Sequence, residues 1–297
     1  MPDAAGTPTL NIAEMRQKIR AIGREITPEN LGAAMKLYAP YHPGEPYPGV
    51  KLTRDIKYGP DARNRLDLFL PASGGANLPV LVYIHGGGFV GGDKKSPGFP
   101  YYDNVMLWAV RNGMAGVNMT HRLAPQHKWP SGNEDVAKVI EWIQANAAAN
   151  GINAKRVRLM GQSAGASHVA QYIAHKEFHP AGGHGLAAGF LVSGIYEPNR
   201  KEYFGDDMSK YPAMSALPGL IASAPLPLLV TVAENDPPMF EEQAMKLVNA
   251  LYQRDNRLPW FQRLWGHNHI SAMLHLGLEP AGQLGNLIRD FIAMRGE

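Results

Sequence analysis

The segment Arg156-Val-Arg-Leu-Met-Gly-Gln-Ser-Ala-Gly-Ala-Ser-His-Val-Ala-Gln-Tyr-Ile-Ala-His175 decides the fold of this chain. Val157–Met160 reads as a short buried strand, and Ala164–His175 reads as a helix. Between them stands Gly161-Gln162-Ser163-Ala164-Gly165. A Gly-x-Ser-x-Gly pattern at a strand-to-helix junction is a sharp turn that lifts a serine oxygen above a sheet edge. Side chains two residues before and after that serine would strike neighbouring backbone, so both places are glycine. The helix begins at the serine, and its first amides face any negative charge that develops there. The competing reading is chance, since the pattern is short and the chain has 32 glycines; the strand before and the helix after argue against it.

Working outward, apolar strands alternate with helical segments. Strands are expected over 66–70, 80–84, 114–119, 157–160, 186–192, 226–232 and 260–264. Helices are expected over 101–110, 134–149 and 164–175, through 245–251, and over 284–294. Val80–Ile84 is apolar throughout, as suits a strand buried on both faces. The alternation predicts an α/β fold: a mostly parallel central sheet with helices on both faces. The first fifty residues differ. Ile12, Met15, Ile19 and Ile22 recur at helical spacing, and Thr27-Pro28 opens a second helix that ends before Pro40. Tyr41–Gly49, rich in proline, reads as a linker. The expected organisation is therefore a helical segment, 1–49, and one catalytic domain, 50–297, with no internal repeat.

After the strand at 80–84 comes His85-Gly86-Gly87-Gly88. A loop at this position supplies backbone N–H groups to an oxyanion hole in hydrolases of this type, and glycine lets the backbone approach a substrate oxygen. A flexible loop without a role is one competing reading. A dinucleotide fingerprint through Gly86, Gly88 and Gly91 is another, but Gly-Gly-Asp-Lys-Lys-Ser-Pro cannot open the helix which that motif requires.

An acid and a base should follow the serine in that chain order. Asp236 lies on a loop enforced by Pro237 and Pro238, with Glu234 as the nearer rival. His267 and His269 flank Asn268 near the end of the last strand, and spacing alone does not choose between them. As a metal pair they lack a third ligand, so no metal is expected.

The run His85-Gly-Gly-Gly-Phe89, then His121-Arg-Leu-Ala-Pro125, then Gly161-Gln-Ser-Ala-Gly165 resembles the hormone-sensitive-lipase-like and carboxylesterase branch of the α/β-hydrolases. The resemblance covers about residues 60 to 275. It implies an oxyanion hole from the N–H groups of Gly87, Gly88 and Ala164. It implies the triad Ser163, Asp236 and His269, the histidine being chosen because Ile270 follows it. It also implies that the N-terminal helices form a cap. Three departures stand out: His121 replaces the usual tyrosine, Gln162 the usual aspartate, and Gly165-Ala166 the usual pair of glycines. With Ser193-Gly194-Ile195-Tyr196, they bring the chain closer to proteins similar to kynurenine formamidase and feruloyl esterases.

The expected activity is hydrolysis of small-molecule carboxylic esters through an acyl-enzyme, without a cofactor. An amidase or arylformamidase, and a catalytically silent ligand binder on the same fold, are the alternatives. Composition excludes other classes. A net charge of +3 with no basic run is no footprint of nucleic-acid binding. The absence of cysteine rules out disulfides and thiolate catalysis and fits a cytoplasmic protein. No apolar stretch has the length of a signal-peptide core or a membrane span. A homo-oligomer is compatible with all of this.

Overall fold

The computed structural model describes residues 10–278 and 282–295; the rest of the segment expected over 1–49, residues 1–9, and the last two residues lie outside them. Two helices come first, α1 (Ile12–Ile22) and α2 (Pro28–Tyr38). Asn11 caps α1 by accepting from the Glu14 N–H, and Thr27 caps α2 by accepting from the Asn30 N–H. The strands and helices that follow are β1 (Val50–Lys57), β2 (Arg65–Pro71), β3 (Leu78–Ile84), α3 (Asp103–Arg111), β4 (Ala115–Met119), α4 (Ser131–Asn146), β5 (Ile152–Gln162) and α5 (Ala164–Ala174). Then come β6 (Leu186–Val192), three short helices α6 (Lys201–Phe204), α7 (Tyr211–Met214) and α8 (Ala216–Ala222), β7 (Leu228–Asn235), α9 (Pro238–Asp255), β8 (Trp260–Asn268), α10 (Ser271–His275) and α11 (Gln283–Ala293).

All eight strands form one sheet in the order β1-β2-β4-β3-β5-β6-β7-β8. The β1–β2 and β2–β4 pairs are antiparallel, and every pair from β4 through β8 is parallel. Alternate side chains of one strand feed two cores. Val80, Val82 and Ile84 of β3 join α4, α5, α8 and α9 on one face. Leu81 and Tyr83 meet α3, α10 and α11 on the other. Burial on both faces explains the unbroken apolar runs. Each such side chain contributes about 1.5–3 kcal/mol relative to exposure.

The parallel register matters most for function. Ile84 pairs with Gly161, Gln162 with Val192, Val192 with Thr231, and Asn235 with Asn268. The loops leaving β3, β5, β6, β7 and β8 therefore emerge along one edge, where open α/β sheets assemble their sites.

Several elements depart from the sequence expectation, among them the short α10 after β8, for which no helix was expected. The strand β1 was not anticipated, because Val50-Lys-Leu-Thr-Arg-Asp-Ile-Lys57 is half polar; it is an edge strand with every second residue exposed. The segment 201–222 holds three helices too short to show a period. The expected linker is packed rather than loose: Tyr47 is buried and its hydroxyl donates to Asp103 at 2.8 Å.

That contact belongs to a charged cluster tying β1 to β2 and α3. Arg54 reaches the buried Asp67 at 2.6 Å and the buried Asp103 at 2.5 Å, and also pairs with Glu45. Lys94 lies 2.9 Å from Asp67. Removing the arginine leaves buried carboxylates short of a partner, a loss of about 3–5 kcal/mol. Arg54→Met is accordingly expected to lower the unfolding free energy by about 3 kcal/mol in urea titrations; a loss within the few tenths typical of surface substitutions would contradict this account.

Candidate active site

The turn at Ser163 is strained. Its φ is +57° and its ψ −124°, a region side chains seldom occupy. The reason lies in how closely α5 approaches β3. A Cβ on Gly165 would stand 2.0 Å from the Ile84 carbonyl oxygen, and one on Gly161 2.2 Å from the Gly165 backbone. The helix can enter at this angle only where both residues are glycine. Ser163 is left partly accessible above the edge, while Gln162 before it is buried.

The glycine loop after β3 packs against this turn. A Cβ on Gly86 would meet the Gln162 side chain at 2.8 Å and the Ser163 Cβ at 3.2 Å. Gly87 and Gly88 adopt φ of +120° and +59°. Among the described residues, neither of their N–H groups is taken by a backbone acceptor. Ala164 is the first residue of α5, so its N–H has no acceptor within the helix. The glycine loop meets the Ser163 turn at Gly86, and the N–H groups of Gly87, Gly88 and Ala164 are without backbone acceptors among the described residues.

Asp236 is the first residue beyond β7, and it is fully buried. Its Oδ1 accepts from His269 Nδ1 at 2.7 Å. Its Oδ2 accepts from the Ser193 hydroxyl at 2.6 Å and from the Ala233 N–H at 2.7 Å. With both oxygens occupied, the carboxylate cannot swing away from the imidazole. His269 packs against Phe240, ring centroids 4.1 Å apart. Its backbone carbonyl accepts from Gln162 Nε2 at 2.7 Å, which ties the histidine loop to the residue preceding Ser163. His269 Nε2 is buried and, among the described residues, has no hydrogen-bond partner. Catalytic hydrogen bonds are often long or unformed without substrate.

The two rivals left by the sequence have other partners. Glu234 pairs with Arg20 of α1 at 3.2 Å and accepts from the Gly266 N–H at 2.6 Å. His267 sits inside β8, which runs four residues beyond the expected Leu264. Its Nδ1 lies 3.0 Å from the Ser271 hydroxyl and its Nε2 3.4 Å from His275 Nδ1. So the structure joins Asp236 to His269 and not to His267.

The N-terminal helices wall this side of the site. Met15, Ile19, Ala34 and Tyr38 form a core with Ile270 and Leu274, and Asn268 donates to the Gly23 carbonyl at 3.3 Å. Arg24, Ile26 and Leu31 line a cleft with His269 and Ile270. Sequence reasoning gave no role to Ser193, and its reading of Gln162 as a family departure contained no sign of the tether to His269. Both act through contacts far apart in sequence that no local pattern encodes.

Among the described residues no group of three or more metal-binding side chains converges, and no helix is long and apolar enough to cross a membrane. Behind the glycine loop His85 and His121 stack at 4.4 Å, and His168 stands edge-on to His121 at 4.5 Å. Burial pushes all three below the usual histidine range, so they are neutral at pH 7.

Comparison with known proteins bears on the fold. The BD-FAE family description matches residues 66–187. Probable carboxylesterase 5 of Arabidopsis thaliana is 32% identical over 139 residues, 42% of this chain and 42% of that protein. Tuliposide A-converting enzyme 2, chloroplastic, of Tulipa gesneriana is 31% identical over 133 residues, 41% of this chain and 34% of its own length. The match thus spans less than half of either curated relative. Among solved structures, esterase B from Lactobacillus rhamnosis superposes with a TM-score of 0.71 at 19% identity, over 95% of this chain and 96% of that one. A thermostable esterase from Pseudomonas putida gives 0.67 at 18% identity, over 98% and 97%. The chain has the α/β-hydrolase fold.

A second buried histidine group supports the His269 loop from below and carries a pH signature. Burial holds His267 down to about 3, and His275 and His42 down to about 4. Unfolding returns each to about 6.5. The unfolded chain therefore binds more protons, and the stability these groups contribute is complete above pH 6.5 and is lost as pH falls towards 4. From pH 7 to pH 5 each should cost about 2 kcal/mol. Urea unfolding of wild type and His275→Gln at both pH values checks this: the variant should lose about 2 kcal/mol less between them, and an equal loss would contradict it.

Proposed function

We propose that this α/β-hydrolase is a carboxylesterase that works through an acyl-enzyme on Ser163. The observation that carries the reading is the buried Asp236–His269 hydrogen bond, formed on the sheet edge from which the strained Ser163 turn rises. The carboxylesterase relatives and the esterases of like fold support the same chemistry.

In this reading His269 Nε2 takes the Ser163 proton while the serine oxygen attacks the ester carbonyl. Asp236 fixes the imidazole with Nδ1 protonated, so that Nε2 carries the free lone pair, and it stabilises the imidazolium that forms. Ser193 and the Ala233 N–H hold Asp236 in turn. The N–H groups of Gly87, Gly88 and Ala164 receive the oxyanion, each worth about 3–4 kcal/mol in the transition state. His269 then protonates the departing alcohol. A water molecule deprotonated by His269 attacks the acyl-enzyme, and collapse of the second tetrahedral intermediate releases the acid and restores the serine. None of these steps uses a metal or a cofactor. Residues 12–41 serve as a cap that limits the space beside His269, and the lack of cysteine suits the cytosol.

Ser163→Ala should lower kcat on p-nitrophenyl butyrate by about 10⁴ or more, and Asp236→Asn by about 10⁴, in each case with little change in KM. The matched butyranilide should react far more slowly than the ester. Undiminished hydrolysis by Ser163→Ala would end the proposal, and an anilide preferred over the ester would replace it with an amidase.

A further inference from the structure

The oxyanion loop carries a cation that the ester mechanism does not use. Arg200 opens the short helix α6, and its Nη1 donates to the Gly88 carbonyl at 2.8 Å. The arginine is rigidly based. Tyr203, one turn on, stacks on Phe89 at 4.5 Å with the rings 5° from parallel, and Phe204 meets Phe89 edge-on. The Tyr203 hydroxyl accepts from the Gly132 N–H at 3.1 Å, and its carbonyl accepts from the Trp129 N–H at 2.9 Å. So α6 is fixed to the residue that follows the glycine loop.

The guanidinium fills the place of a Gly88 side chain. A Cβ there would stand 1.9 Å from Nη1 and 3.2 Å from Cζ. Since a Cβ lies about 1.5 Å from its Cα, Nη1 is within about 3.5 Å of the Gly88 Cα and about 5 Å of the Gly88 nitrogen. The N–H on that nitrogen is one of the three oxyanion donors. An oxyanion accepting from that N–H would lie within about 8 Å of Nη1, within reach of a short acyl chain. The other polar demand on the guanidinium is weak: Glu202 lies 3.8 Å from Nε, and both side chains are about half exposed. Among the described residues Nη2 has no partner. A planar cation with one edge anchored and one edge open is suited to a carboxylate.

We propose that Arg200 is a specificity residue that binds a carboxylate at the far end of the acyl chain, so that the preferred substrates are half-esters of short dicarboxylic acids. This rests on the esterase reading above. With Nη1 within about 5 Å of the Gly88 nitrogen, only a short spacer separates the ester carbonyl from the carboxylate, and the succinyl group is the case to test. A neutral acyl group of the same length fills the same space without the charge-assisted hydrogen bonds. Arg200 takes no part in proton transfer, so its effect lies in the choice among acyl groups.

The test compares monobenzyl succinate with benzyl butyrate, which share a leaving group and a four-carbon acyl chain, by following benzyl alcohol release. Wild type is expected to favour the succinate ester by about 10-fold or more in kcat/KM, and added salt should erode that preference. Arg200→Gln should cut the preference by 10- to 100-fold, and Arg200→Lys should keep part of it, since it retains the charge but not the fork. Thermal melts of both variants report whether they are folded. Equal losses on the two esters would mean that Arg200 only orients the Gly88 peptide, and would overturn the proposal. So would a wild type that hydrolyses benzyl butyrate but discriminates against the succinate ester, a result that leaves the esterase reading intact. Hydrolysis of neither ester overturns both.

Discussion

No side chain fits between the first turn of α5 and the end of β3, and the rest of the site follows from that constraint. The Ile84 carbonyl lies where a Gly165 side chain would stand, and the Gly165 backbone lies where a Gly161 side chain would stand. With both positions bare, the helix starts directly over the sheet edge and the backbone is forced through positive φ at Ser163. The same approach brings Gly86 of the glycine loop against Gln162 and Ser163. Burial of the sheet on both faces supports the strain, because the strands and helices on either side of the turn are locked by their cores.

Around that turn the polar groups are held chiefly by partners from other strands. Asp236 is saturated by Ser193, the Ala233 N–H and His269, and His269 is tethered through its carbonyl to Gln162. The bonds to Ser193, His269 and Gln162 join the ends of different parallel strands, and the Ala233 N–H holds Asp236 to its own strand, β7. The N-terminal helices add a further tie, through Arg20 to Glu234 and through Asn268 to Gly23. The turn between them and the start of α2 line the cleft beside His269 with Arg24, Ile26 and Leu31. Burial keeps His85, His121, His168, His267, His275 and His42 below the usual histidine range. Arg200 is anchored on the Gly88 carbonyl.

Much of this was legible in the sequence, for physical reasons. Glycines at 161 and 165 mark a backbone approach, and an unbroken apolar run such as Val80–Ile84 marks a doubly buried strand. Thr27-Pro28 marks a helix start, and the cap forms there. What was not legible depended on partners distant in the chain. The strand β1 alternates polar and apolar residues because it lies at an edge, and its charges gain meaning only through Asp67 and Asp103. The continuation of β8 through Asn268 puts His267 inside the strand and His269 just outside it, a difference that two residues of spacing do not convey. Gln162 read only as a departure from a common aspartate; its contact with the His269 carbonyl spans 107 positions. Arg200 and Gly88 are 112 apart, with no pattern to connect them.

The account turns on Ser163 being an activated nucleophile, and covalent labelling tests that without any assumption about substrate. Folded wild-type protein is treated with a fluorophosphonate, digested, and the modified peptide sequenced by mass spectrometry. The account predicts one stoichiometric adduct, on Ser163, within the peptide that carries Gly161-Gln-Ser-Ala-Gly165. A folded protein that leaves Ser163 unmodified, or that takes the label on another serine such as Ser193, would contradict it.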